Sequence, residues 1–213
     1  MSAKLITAVS VLLLTGPMGV AVAPATADHH PVSTVSAQAS PLMKKKCVKA
    51  FKRDNRGKLH YRANVAWKTY EQHRASEQVM YDQLRWFLAD PNAQEAIPEL
   101  EKGAAEFLAL LQPTVAKQRD KLYKDLDTVR GKYLTNGCLP SKHGKQVFKE
   151  AMRFYKNSAD DIFKVQERLF AANMAVQTAQ ADLAGQALQD ADLEFATVEE
   201  NAIRCNELLE ILY

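Results

Sequence analysis

Asp28-His29-His30, near the start of the 213-residue chain, has the order that captures a square-planar metal ion. If a mature polypeptide begins at Asp28, its free amine, two backbone amide nitrogens and the imidazole of His30 supply four nitrogens in one plane. Cu(II) and Ni(II) favour that geometry. His29 adds a further nitrogen. The chemistry depends on processing, because only a chain that starts at Asp28 has its amine there.

The upstream residues predict that cut. Lys4 gives a small positive region, Leu5 to Leu14 an apolar core, and Ala25-Thr26-Ala27 a small-x-small cleavage site. Residues 1–27 thus read as an export signal, with secretion or release into a periplasm after cleavage near Ala27. Gly16, Pro17, Gly19 and Pro24 interrupt the apolar stretch, which is shorter than the roughly 20 residues a spanning helix needs. A membrane anchor is therefore not expected, and no later window is apolar enough to provide one. No cysteine follows the cut to accept a lipid.

A second metal-capable pair is His73 and Glu77, four residues apart and so on one helix face. The Glu-x-x-His pairs of ferritin-like di-iron sites are absent, and one pair supplies too few ligands, so a buried polar pair is the expectation. Cys138 and His143, with Cys47 near, suggest a zinc corner, but an oxidising destination and the lack of zinc-knuckle spacing argue against it. Cys-x-x-Cys-His, which would attach haem, is missing, as are Gly-x-Ser-x-Gly, His-Glu-x-x-His, a phosphate-cradling glycine loop and a dinucleotide fingerprint. Eight glycines leave few loops to shape a catalytic pocket. A non-enzyme without a cofactor is expected, with Cu or Ni capture at the mature N-terminus, or metal or haem handling at a core site near His73, as the alternative.

Charge offers another chemistry. The net charge is only +3, yet Lys44, Lys45, Lys46, Lys49, Lys52, Arg53, Arg56, Lys58 and Arg62 crowd into one stretch with Asp54 as the sole acid. Phe51 and Tyr61 are interleaved. Such a run can hold phosphate-rich partners: lipid head groups, lipopolysaccharide or nucleic acid. From Asp182 to Tyr213 the balance reverses, with eight acids against Arg204. If that acidic segment lies on the basic one, the charges are satisfied internally.

The elements that position these residues read as helices. Asp28 to Ala39 has no helical period and forms, with Ser40, a flexible leader over residues 28–40. Ser40-Pro41 then looks like a helix cap and first turn, opening one domain over residues 41–213. Leu59, Ala63, Ala66, Tyr70, Met80, Leu84 and Phe87 give helix 1 its apolar stripe, and Asp90-Pro91 stops it. Asp54-Asn55-Arg56-Gly57 is either a turn or a weak spot. Helix 2 runs from Pro98 to Asn136-Gly137, with a kink expected at Pro113. Helix 3 follows Leu139-Pro140-Ser141. Unbroken to Tyr213, it would overhang its neighbours by about 40 Å at the helical rise. A reversal near Gly185 to Asp190 is therefore expected.

The resulting all-α fold is an elongated antiparallel bundle of three long helices plus a shorter C-terminal helix. Folding helix 2 back on helix 1 brings Cys47 level with Cys138, the expected disulfide. Cys205 is left as a buried thiol, or as the half of a bond to Cys47 or to another chain. The functional expectation is an exported interaction protein, chaperone-like, adhesin-like or an effector, that binds another protein or an anionic partner through Lys44 to Arg62.

Overall fold

The computed structural model describes residues 42–213. The export signal, the leader with its Asp28-His29-His30 triplet, and the Ser40-Pro41 start signal lie outside the described residues. Every regular element described is helical. They are α1 (Lys45–Asp54), a π-helical segment (Asn55–His60), α2 (Tyr61–Ala89), a 3-10 turn (Gln94–Ala96), α3 (Ile97–Thr135), α4 (Lys142–Val176) and α5 (Ala181–Ile211).

Helix ends follow the chemistry of their residues. Asp90 is extended ahead of Pro91, and its carboxylate accepts from Asn92 N–H at 2.9 Å. Gly137 takes a left-handed φ of 63° after α3. Ser141 Oγ accepts from Gly144 N–H at 2.9 Å to cap α4. At Asp54-Asn55-Arg56-Gly57 the chain does not turn; it passes from α1 through the π segment into α2. Aspartate favours turns by bonding its own backbone. Here the Asp54 carboxylate is engaged elsewhere, accepting from Lys132 Nζ at 2.5 Å and Tyr133 Oη at 2.9 Å on α3.

The last reversal lies at Gln177–Gln180, not near Gly185 to Asp190. Gln180 N–H donates to Ala175 O at 2.8 Å and Ala179 N–H to Val176 O at 3.1 Å, the paired bonds of a Schellman stop. Ala179 stands at φ 54°, where glycine is usual. Gly185 serves a different purpose inside α5: a Cβ there would lie 2.8 Å from Tyr81 Oη, so its bareness lets α5 approach α2. The left-handed alanine costs about 1 kcal/mol. Ala179→Gly is therefore expected to raise Tm by about 2–4 °C for a domain of this size, measured by circular dichroism melting.

Because α5 starts early, its 31 residues nearly match the 35 of α4, and the C-terminus returns to the start of α1. Met43 N–H donates to Leu212 O at 3.2 Å. Cross-helix bonds set the directions of the other passes. Arg62 to Asp125 and Gln118 to Thr69 run α3 back along α2. Ser158 to Val198 O and Arg168 to Glu194 run α5 back along α4. Tyr155 to Leu59 O and Asn173 to Glu77 lay α4 parallel to α2. Apolar packing fills three clusters along this axis, around Phe51, Val165 and Leu84.

Candidate functional site

Cys47 on α1 and Cys138 after α3 hold their sulfurs at bonding distance, with Cα atoms 5.7 Å apart. Lys44 N–H donates to Cys138 O at 2.9 Å beside them. Beneath lies an aromatic knot: the Phe51 ring centroid is 4.9 Å from that of Tyr133 and 5.6 Å from that of Phe148, both edge-on. The start of α1, the α3–α4 connection and the end of α5 thus meet at one end of the molecule.

The cations of the basic run stand around this end. Lys44, Lys45, Lys46, Lys49, Lys52, Arg53 and Arg56 are exposed, while Lys58 and Arg62 are half-buried. Arg62 Nε pairs with Asp125 at 2.9 Å. No ion pair among the described residues engages the other eight. Lys52 Nζ rests 4.2 Å above the Tyr213 ring. The acidic α5 does reach this end, but its ion pairs among the described residues are made elsewhere: Asp192 with Arg74, Glu194 with Arg168, Glu207 with Arg204. No α5-to-α1 ion pair occurs among the described residues, so the internal cancellation open in the sequence is not made by direct pairing.

Sequence reading missed that α3 and α4 add to this face. Lys124, Arg130 and Lys132 come from the end of α3, and Lys142, Lys145, Lys149, Arg153 and Lys156 from the start of α4. Between the two helices runs a groove of about 560 Å³, in which Arg130, Lys149, Arg153 and Lys156 surround an apolar floor of Leu126 and Met152. Residues 42–62, 117–156 and 199–213, which meet at this end, carry twenty-one basic side chains against nine acidic ones. Residues 63–116 with 157–198, the other half of the molecule, carry six against fifteen. Counting charge by height in the fold would have found this; counting along the chain does not.

Asp54 is the one acid of the basic run, and it is turned inward. Burial works to raise its carboxyl, but hydrogen bonds from Lys132 and Tyr133 and the Lys132 charge outweigh burial, leaving it below the usual carboxylate range. A lowered folded value means the stabilisation is present above about pH 4 and is lost as pH falls through that value. Asp54→Asn is expected to cost about 1–3 kcal/mol at neutral pH, because Tyr133 and Lys132 lose a charged acceptor. The gap from the parent protein should close on acidification, as followed by urea unfolding.

His73 and Glu77 lie in the core, with the buried-pair outcome expected from sequence. His73 Nδ1 stands 2.6 Å from Gln166 Oε1 and Nε2 stands 3.2 Å from Glu77 Oε1. Asn173 Nδ2 donates to the same Glu77 oxygen at 3.0 Å. All four side chains are at most 2% exposed. One imidazole and one carboxylate do not make a metal set, and no group of three or more ligating side chains occurs among the described residues. Such a network joins α2 to α4 in one register, since a slip would strand its polar atoms. The zinc corner also fails to form, because Cys47 and Cys138 are bonded to each other and His143 lies exposed on α4.

Cys205 is a free thiol, 3% exposed, and burial pushes it up to about 12. A thiol held protonated is a poor nucleophile. Ellman's reagent on the native protein is expected to detect essentially no reactive thiol, and one equivalent after denaturation. No protein family, curated protein or solved structure matches the chain.

Proposed function

We propose that the chain acts, after export, as a non-catalytic interaction protein whose basic end holds an anionic partner. In this reading the helices form an elongated antiparallel bundle that displays the face. The observation that carries the reading is the set of eight cations between Lys44 and Lys58 with no ion pair among the described residues, joined by the cations of α3 and α4. Leaving so many like charges together costs self-repulsion, which an anionic partner relieves. The Cys47–Cys138 pair supports an oxidising destination. No helix among the described residues is long and apolar enough to cross a membrane, so contact with a bilayer would run through the surface.

Each cation brought to an anionic surface contributes about 1 kcal/mol, and the attraction fades beyond about 8 Å at physiological salt. Co-sedimentation with vesicles rich in phosphatidylglycerol is expected at low salt, to fall steeply towards physiological salt, and to be absent with phosphatidylcholine alone. Failure to sediment with anionic vesicles at low salt would remove the lipid surface. Failure also to bind polyphosphate directly at low salt would remove the anionic partner altogether.

A further inference from the structure

Below the basic face, where the π segment passes into α2, the helices leave a cavity of about 160 Å³. Its floor is apolar: Leu122, Ile162, Val198 and Leu209 are all at most 4% exposed, with the buried Cys205 among them. Trp67 forms one wall, and exposed His60, Asn64 and Asn206 stand at the mouth between α2 and α5. Two of the polar side chains that line it are engaged with backbone carbonyls, and the amide of the buried Asn55 adds a polar edge at the start of the π segment. Tyr155 Oη donates to Leu59 O at 2.5 Å, which ties the π segment to α4, and Ser158 Oγ donates to Val198 O at 3.0 Å.

Water needs two to four polar partners to be held in such a space. The floor of Leu122, Ile162, Val198 and Leu209 offers it none, and the amide donors and acceptors lie off that floor, on Asn55 at the start of the π segment and on Asn64 and Asn206 at the mouth. The size is telling as well, since an apolar cavity of about 150 Å³ is enough to take up benzene. π-helical segments recur at functional sites because they displace side chains from regular packing, and here one borders the cavity.

We propose that this cavity is a binding site for a small molecule with one aromatic ring, or an alkyl group of like size, whose single uncharged polar group stays at the mouth between His60, Asn64 and Asn206. The ring packs on Leu122, Ile162, Val198 and Leu209, and the polar group exchanges hydrogen bonds with the asparagine amides. The site is independent of the basic face, and either stands if the other falls.

Phenol and cyclohexanol are suitable probes. In full-length protein carrying Trp86→Phe, so that Trp67 is the only tryptophan, phenol is expected to change the fluorescence saturably with a dissociation constant of about 1 mM or below. In the unaltered protein, the methyl resonances of Leu122, Ile162, Val198 and Leu209 should move together on titration, while those of the exposed Leu110 and Leu193 stay fixed. Ala202→Phe, which places a ring in the cavity from α5, should remove the saturable response and leave the helical dichroism unchanged. No saturation with either probe, methyl shifts spread evenly over the molecule, or an unaltered response in folded Ala202→Phe protein would each overturn the site. If Ala202→Phe does not fold, the methyl shifts of the unaltered protein decide alone.

Discussion

Reversing Lys45, Lys49, Lys52 and Arg56 to glutamate is expected to lower affinity for anionic vesicles about a thousandfold at low salt. The four residues follow one another at helical spacing, all are exposed, and none forms an ion pair among the described residues. At about 1 kcal/mol per cation, neutralising four removes about 4 kcal/mol, and reversal adds repulsion on top. Stability should barely move, since exposed substitutions away from caps and networks usually lie within about 0.5 kcal/mol each. Reversing the exposed Lys68, Arg85 and Lys102 changes a similar number of charges in the acidic half. If vesicle binding is governed by net charge, that control weakens it comparably; if the basic end is the site, it scarcely does. A matching loss in both variants would sink the localised face.

Removing the Cys47–Cys138 bond is expected to be the most destabilising change outside the apolar core. The pair closes a loop with a sequence separation of 91. Releasing it adds about 4–5 kcal/mol of denatured-chain entropy. Domains of this kind have only about 5–15 kcal/mol in hand. The Cys47→Ser, Cys138→Ser protein should therefore unfold at a much lower urea concentration than the oxidised parent, and the reduced parent should match the double variant. Cys205→Ser serves as the reference for handling a cysteine alone. A loss under about 1 kcal/mol would mean that the aromatic knot of Phe51, Tyr133 and Phe148 holds that end without the bond.

Much of the helical scaffold was legible because its stops and starts use residues with strong backbone preferences. Asp90-Pro91, Pro98, Asn136-Gly137 and Ser141 fall where the helices end and begin, and chain reversal then placed Cys47 opposite Cys138. The final turn was illegible because Thr178-Ala179-Gln180 contains no glycine or proline, while the nearby Gly185 signals a turn and serves close packing against Tyr81. The π segment was misleading for a related reason: Asp54 and Gly57 look like a turn until Asp54 is known to spend its carboxylate on Lys132 and Tyr133. The wider basic face was hidden by Asp120, Asp125 and Asp127, which alternate with the α3 cations along the chain. The cavity depends on how side chains from α2, α3, α4 and α5 fail to meet, which no single segment encodes.

The separation of charge between the two ends of the fold has a mechanical consequence. α3 alone has 39 residues, about 60 Å at the helical rise. In the proposed bundle, a rod of that length with cations gathered at one end and carboxylates at the other would feel a torque near an anionic plane, because one end is drawn in while the other is pushed away. Under the proposed function it would rotate before it touches and come to rest upright. Its acidic tip then points outward like the pile of a carpet. Neighbouring rods standing on the same plane would then bring like ends level, keep their distance from one another and coat the plane evenly instead of clumping.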